Sequence, residues 1–185
     1  MFPARWSPRA MSGEPVPETT LFRLFEAARW APSSANAQPW RFLYGVQGTP
    51  QFQPLFALLD DGNQAWCQRA GALVLVLSRT LFNRGTPNRH HAYDTGAAWM
   101  SIALQGHALG LVTHCMAGFD PVKGRAALGV PPDFELQTIV AIGHPGDVNL
   151  LSEKNRPRET PNERRPVAES AHAGAFPDAF KVTKT

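Results

Sequence analysis

The sequence predicts an α/β fold with one sheet, and three observations support that class. Residues 21–28 repeat apolar side chains with a helical period, and residues 72–78 form a continuous apolar run rich in strand formers. Helical and strand patterns then alternate as far as residue 143. With 185 residues, of which 43% are apolar, the chain is long enough for one domain with its own core.

The first half of the chain predicts one long helix and then shorter pieces. Pro17 suits the first position of a helix, and Pro32 must end that helix because proline lacks the amide donor. One face of this helix is apolar and comprises Leu21, Leu24, Phe25 and Ala28. The predicted elements that follow are a strand at residues 40–44, helical pieces at 51–59 and 64–69, and between these a turn at 60–63.

The second half contains the predicted central elements. Residues 72–78 read as a strand buried on both faces, and residues 93–109 as the longest helix, which ends at Gly110. We expect one stripe of this helix to comprise Ala97, Met100, Ser101, Leu104 and Ala108. Its small residues allow close packing against another helix, in a dimer core or simply in a buried position. Further elements are predicted at 111–116 (strand), 121–128 (helix, with Asp120 as N-cap) and 136–143 (strand).

Composition narrows the possible functions. The formal charge of +3 is spread along the chain without a block of like charges, which suits anionic small molecules better than nucleic acid. Cys67 and Cys115 form no CxxC motif, no signal peptide is visible, and no apolar run is long enough to span a membrane. We therefore expect a cytoplasmic protein without nucleic-acid or membrane partners. The scattered histidines predict no metal site, and no strand leads into a G-x-G-x-x-G turn.

The segment between the first helix and the first strand is dense in hydrogen-bonding groups. Residues 33–38 are short and polar, and tryptophans lie on either side at Trp30 and Trp40. Such a loop could hold a flat aromatic ligand with polar edges. Alternatively, its Ser and Asn side chains only satisfy backbone groups in a helix–loop–strand connection.

A second polar segment lies near the N-terminus. Arg5, Ser7 and Arg9 alternate, so in an extended chain they point to one side while Trp6 points to the other. Arginine and hydroxyl donors suit a phosphate group. The alternative is an ordinary solvated surface.

The string APSSANAQPWRF at residues 31–42 resembles the signature of the nitroreductase family, the FMN-dependent NAD(P)H oxidoreductases. Residues 93–98 and 107–111 are similar to the central helix of that family. The resemblance implies a three-layer α-β-α sandwich with a mixed, mainly antiparallel sheet, in an intertwined homodimer. It further implies one FMN-binding domain over residues 1–166 and a C-terminal extension, 167–185, that could wrap the partner subunit.

The same resemblance implies cofactor-binding residues. Arg5, Trp6, Ser7 and Arg9 match the family string that holds the FMN phosphate, ribityl and pyrimidine groups. The loop residues that would cover the ring from the partner subunit are Pro32, Ser33, Ser34, Asn36 and Gln38.

Four more positions are implied. Asn63 would contact the ring or ribityl chain, unless it is only a turn residue, and Trp66 stands where some members have a lysine. Ala117 and Gly118 would offer a backbone N–H to flavin N5, although an ordinary strand-to-helix turn has the same sequence. Arg164 would reach the phosphate.

The activity implied is hydride transfer from NAD(P)H through the flavin to a small-molecule acceptor such as a nitroaromatic or quinone, by a ping-pong mechanism. No side chain is expected to be a catalytic acid or base, and a general-acid role for His90 or His91 stays open. Alternatives are a specialised flavoenzyme, for example for dehalogenation or oxidation of a dedicated substrate, and a non-enzymatic flavin sensor or store.

Overall fold

The computed structural model of the chain describes residues 2–177 and 180. Its centre is a four-stranded sheet in the order β1-β2-β4-β3, in which every neighbouring pair is antiparallel. The strands are β1 (Trp40–Val46), β2 (Ala72–Arg79), β3 (Val112–Met116) and β4 (Phe134–Gly143). Because β2 and β4 are the inner strands, β2 is buried along both faces, as its apolar run predicted.

Five α-helices surround the sheet in the described residues: α1 (Glu18–Arg29), α2 (Phe52–Phe56), α3 (Asp61–Cys67), α4 (His91–Ala108) and α5 (Pro121–Leu128). This order confirms the predicted alternation. One prediction was wrong, because residues 60–63 do not form a separate turn. The carboxylate of Asp60 accepts the N–H of Asn63 at 2.8 Å and caps α3, so Asn63 lies in the first turn of a helix.

The helices cover both faces of the sheet and produce three layers. On one face, Leu24 of α1 and Ile102 of α4 pack with Val140 of the sheet. On the other, Leu55 of α2 and Trp66 of α3 join a separate apolar cluster. Residues that alternate along β2 therefore enter different cores, which is the geometry of a pleated strand. The α-β-α architecture predicted from the sequence is confirmed.

The predicted apolar stripe of α4 lies on the side of the helix that the core of this chain does not cover. Within the chain, α4 buries Ala98, Ile102, Ala103 and Gly106. The predicted stripe is half-buried or exposed, with Met100 on the exposed side. The helix is apolar on two faces, and periodicity alone cannot tell which of them meets the sheet.

Two contacts hold the N-terminal segment against the sheet and the tail. The Nδ1–H of His114 on β3 donates to the carbonyl of Pro8 at 3.0 Å. The carboxylate of Glu159 accepts the N–H groups of Arg9 and Ala10 at 2.8 and 2.7 Å. The first part of the polar tail therefore folds back onto its own chain, a placement that the tail's composition did not indicate.

The described part of the chain has neither a membrane-length apolar helix nor a metal-binding cluster, and its two cysteines are unpaired. No helix there combines the length and the apolar character that crossing a membrane requires. In the same residues, no group of three or more His, Cys, Asp or Glu side chains is arranged to hold a metal ion. Cys67 and Cys115 are both free thiols.

The anchoring histidine predicts how stability depends on pH. Burial lowers the pKa of His114 in the folded chain below its ordinary value of 6.5. At this position the unfolded chain therefore binds a proton more readily than the folded chain does. The stability that neutral His114 contributes is present above pH 6.5 and is lost as the pH falls toward and through the folded-state pKa. We expect the free energy of unfolding to fall less between about pH 8 and pH 5 in His114→Asn than in the wild type.

The measurement is urea unfolding across that pH range. The matched control is His107→Asn, since the His107 ring makes no side-chain hydrogen bond in the described residues. Equal loss of stability in the wild type and His114→Asn would contradict the assignment of this pH dependence to His114.

Candidate functional site

The first group of predicted site residues lies where α3 meets the segment after β3. The amide of Asn63 donates to the carbonyl of Gly118 at 3.0 Å, and the N–H of Asp60 donates to the same oxygen at 3.1 Å. A Cβ on Gly118 would collide with the side chains of Asp60 and Asn63. Glycine is therefore required here for close approach of the two segments.

This contact leaves backbone donors available. The N–H groups of Ala117 and Gly118 make no hydrogen bond within the described residues, and Ala117 is exposed. Two unpaired N–H groups beside a side-chain amide offer hydrogen-bond donors to a polar ligand edge. The predicted role of this turn thus has suitable geometry, although Asn63 is engaged with Gly118.

The N-terminal segment brings Arg9 to the same region. Nη1 of Arg5 lies 3.5 Å from Oγ of Ser7, so these side chains share a side as their alternation predicted. Nε of Arg5 is buried and has no hydrogen-bond partner in the described structure. Burial lowers the pKa of Arg9, and the positive charge of Arg158 lowers it further. Two half-buried arginines, one of them with a buried and unpaired Nε, favour an anionic ligand.

A cavity of about 360 Å³ connects Arg9 with Asn63 and Trp66. The cavity is also lined by four tail residues that the sequence did not predict: Ser152, Lys154, Asn155 and Arg158. Their basic string is visible in the sequence, but nothing in the string shows that the tail folds back.

Of the predicted residues outside 32–38, six do not line this cavity, namely Arg5, Trp6, Ser7, Ala117, Gly118 and Arg164. Arg164 is exposed, and its guanidinium donates only to the neighbouring carbonyls of Asn162 and Glu163 within the described chain. Trp6 is half-buried and makes no aromatic contact there. Within the described chain, no hydrogen bond joins Arg164 to Arg5 or Arg9.

The second group is the loop of residues 33–38, called the 33–38 loop below. Ala35, Asn36 and Gln38 all have positive φ, between 46° and 52°. Non-glycine residues in this region carry strain that persists only where surrounding contacts fix the backbone. Such strain concentrates at ligand-binding sites, which favours a binding role over a simple connection.

The fixing contacts are specific. The N–H of Ser34 donates to the buried carboxylate of Asp94 on α4 at 3.0 Å, and the N–H of Gln38 donates to Oγ of Ser33 at 3.0 Å. The Gln38 amide lies 3.2 Å from Oδ1 of Asn36. Asp94 was not predicted as a site residue. A carboxylate near the start of an otherwise apolar helix was the signal that could have identified it.

A cavity of about 760 Å³ lies beside the 33–38 loop and the start of α4. Pro32, Ser33 and Ser34 line it together with His90 and Tyr93. Its lining shares no residue with that of the cavity at Arg9 and Asn63. One chain therefore carries two separate groups of predicted binding residues.

Comparison with known proteins agrees with these features. The model of the nitroreductase family matches residues 3–47 and 46–144. A 15.4 kDa protein from Mycolicibacterium smegmatis is 36% identical over 145 residues, which cover 74% of this chain and 97% of that protein. An NADH dehydrogenase from Thermus thermophilus is 30% identical over 184 residues, with 81% of this chain and 87% of the relative covered.

Solved structures agree as well. A crystal structure described as an oxidoreductase containing FMN is 39% identical, with a TM-score of 0.91 over 95% of this chain and 91% of that chain. A candidate nitroreductase from Desulfovibrio desulfuricans, in complex with FMN, is 26% identical, with a TM-score of 0.73 over 94% of each chain. The matched residues include the 33–38 loop and span most of the sequence, so the chain belongs to the nitroreductase family.

Proposed function

We propose that this protein is an FMN-dependent NAD(P)H oxidoreductase that acts as a homodimer, with each FMN held between two chains. Bound FMN would supply two-electron chemistry, with NAD(P)H as hydride donor and a nitroaromatic or quinone as acceptor, in ping-pong order. Family membership and the FMN named in two similar structures support the cofactor. The observation that carries the proposal is the orphaned, buried Nε of Arg5.

The N-terminal group fits the anionic end of FMN. A buried guanidinium nitrogen without a partner costs free energy, and a phosphate oxygen would satisfy it. Ser7 adds a hydroxyl and Arg9 a second charge. We assign these residues, with Arg164 arriving on the tail, to the phosphate, ribityl and pyrimidine groups.

The region around Asn63 fits the ring. The unbonded N–H groups of Ala117 and Gly118 are donors for a ring nitrogen, and the glycine lets the segment lie close to Asp60. Trp66, on the same helix as Asn63, lines the adjoining cavity. These residues would bind and orient the ring and exclude water from it.

The 33–38 loop would come from the partner. Its binding groups share no cavity with the N-terminal group, so a complete site needs a second copy. The stripe of α4 that the sheet does not cover, with Ala97, Met100 and Ser101, is a surface for that copy. Small side chains there allow two helices to approach closely.

Side chains would act by position and charge, since hydride transfer needs alignment above all. No proton-transfer residue is assigned. The specialised flavoenzyme and the flavin store remain the alternatives, and the first experiment separates them.

We expect the purified protein to be yellow, or to become yellow on addition of FMN, and to lose that colour with NAD(P)H under anaerobic conditions. Visible absorbance is the measurement, followed by NADPH oxidation with menadione. A colourless protein that does not take up FMN contradicts the proposal. Bound flavin that NAD(P)H does not reduce indicates a store, and reduction without menadione turnover indicates a specialised enzyme.

Because Nε of Arg5 is buried and unpaired, we expect replacement of Arg5 to lower FMN affinity without lowering the stability of the apoprotein. We expect Arg5→Met to weaken FMN affinity by about 10-fold or more, because a hydrogen bond to a charged group contributes about 1.5–3 kcal/mol. The melting temperature of the apoprotein should not fall, since the variant removes a buried unpaired donor.

Arg23→Met, on the exposed side of α1, is the matched control and should leave affinity unchanged. Arg164→Met tests the assignment of the tail arginine to the same phosphate. Affinity that is equal in Arg5→Met and Arg23→Met would contradict the phosphate site.

A further inference from the structure

The segment between β2 and α4 folds into a short hairpin, called the 81–87 hairpin below. Leu81 and Pro87 form an isolated antiparallel bridge, and the N–H of Phe82 donates to the carbonyl of Thr86 at 2.8 Å. The four residues from 83 to 86 make the turn at its tip. The hairpin is thus an ordered element that presents the side chains of its tip in defined directions.

The base of the 81–87 hairpin is held by backbone hydrogen bonds to other segments. The N–H of Thr80 donates to the carbonyl of Asp133 at 2.8 Å. The N–H of Arg79 donates to the carbonyl of Pro39 at 2.9 Å, and Pro39 directly follows the 33–38 loop. These contacts place the hairpin beside the loop that we assign to the flavin ring.

Arg84 lies at the tip of the hairpin, and its guanidinium is oriented from two sides. The Nε–H donates to Oγ1 of Thr86 at 3.0 Å, and Cζ lies 5.6 Å from the centroid of the Phe82 ring. Within the described residues, neither Nη group of Arg84 makes a hydrogen bond, and no carboxylate forms an ion pair with it. Both Nη groups are therefore available in the planar geometry that matches a phosphate.

A cavity of about 200 Å³ lies between the 81–87 hairpin and the 33–38 loop. It is lined by Ala35, Ala37, Phe82, Asn83 and Arg84, none of which the sequence predicted as a site residue. None of them lines the cavity at the start of α4 or the cavity at Arg9. Pockets that enclose a whole ligand have about 300–1,000 Å³, so this cavity would hold one end of a larger molecule.

The lining of this cavity favours a phosphate group. Arg84 is its one charged residue, and it contains no carboxylate. The Oδ1 of Asn83 accepts from Nη1 of Arg79 at 3.4 Å, and within the described residues the Asn83 amide nitrogen makes no hydrogen bond. The cavity therefore combines a guanidinium with a neutral amide donor, and these groups suit a compact anion rich in acceptor oxygens.

The position of the cavity relates it to the hydride donor. The 33–38 loop is assigned to cover the flavin ring, and a nicotinamide must lie on that ring to transfer a hydride. The adenosine half of the dinucleotide then extends away from the ring, past the edge of the loop. NADPH carries a 2′-phosphate on this adenosine, where NADH has only a hydroxyl. A phosphate-binding arginine just outside the loop would distinguish these two donors.

We propose that Arg84 binds the 2′-phosphate of NADPH, and that this contact makes NADPH the preferred hydride donor over NADH. Thr86 is a positioning residue, because its hydroxyl orients the guanidinium of Arg84. The inference rests on the proposed function, since it requires an FMN that the 33–38 loop covers.

The first test measures binding without reduction. The oxidised protein with FMN bound is titrated calorimetrically with 2′,5′-adenosine diphosphate, which carries the 2′-phosphate, and with adenosine 5′-monophosphate, which lacks it. We expect the diphosphate to bind about 10-fold more tightly, because it gains a charge-assisted contact with Arg84. Arg84→Met should remove most of this difference, and Thr86→Val a smaller part of it.

The second test follows anaerobic reduction of the bound FMN by visible absorbance. We expect the second-order rate constant to be about 10-fold higher with NADPH than with NADH in the wild type. Arg84→Met should lower the NADPH value by about 10-fold and leave the NADH value unchanged. Arg89→Met is the matched control, because Arg89 belongs to the same exposed segment but does not line the cavity. It should keep the preference for NADPH.

The outcomes distinguish this inference from the proposed function. Equal binding of the two adenosine probes to the wild type overturns the inference. Equal losses with NADPH and NADH in Arg84→Met assign Arg84 to the pyrophosphate that both donors share, and equal losses in Arg84→Met and Arg89→Met assign the preference to overall charge. Either result overturns it, while FMN that is bound and reduced leaves the proposed function standing. A protein that binds no FMN overturns both.

Discussion

The proposed site depends most on the hydrogen bond between the N–H of Ser34 and the buried carboxylate of Asp94. The 33–38 loop contains three non-glycine residues in left-handed conformations, each of which costs about 1–3 kcal/mol. A loop with that strain would relax unless fixed groups held it. Asp94 is fixed because it lies on α4, which packs on the sheet through Ala98 and Ile102. The packing of α4 on the sheet thereby fixes the conformation of the 33–38 loop.

The N-terminal half of the proposed site is likewise held in place by contacts from other segments of the chain. The N-terminal segment has no strand or helix of its own between Arg5 and Arg9, so its position depends on partners. His114 holds Pro8 from the sheet, and Glu159 holds the next two N–H groups from the tail. The arginines are thus presented by backbone contacts, which leaves the buried Nε of Arg5 free for a ligand. The 33–38 loop and the N-terminal segment are both anchored through the same sheet, yet within one chain they share no cavity.

The sequence predicted what local chemistry determines. The apolar run of β2, the proline stop after α1 and the Asp120–Pro121 start of α5 each follow from short-range rules, and the structure confirms them. The two segments of the proposed site were also visible, since the 33–38 loop and the Arg5–Arg9 string carry distinctive side chains. Their mutual arrangement follows from the fold and not from either string.

What the sequence could not predict depends on contacts between distant segments. The face of α4 that meets the sheet could not be chosen because both faces are apolar. The cap at Asp60 was hidden by a string, Asp-Asp-Gly-Asn, that is equally typical of turns. Glu159 pairs with residues about 150 positions away in the chain, and Asp94 with a loop 60 positions away. No local pattern signals such pairings.

The central claim is that each site needs residues from two chains. Arg5→Met with Arg9→Met removes the phosphate side of a chain, and Asp94→Ala frees its 33–38 loop. The most direct measurement is FMN binding by the mixed dimer of these two variants, purified through two different tags. If the loop comes from the partner, one site in the mixed dimer has both halves intact, and FMN binding returns although neither variant alone binds it. If the mixed dimer binds no more FMN than its parents, both halves belong to one chain and the account is contradicted.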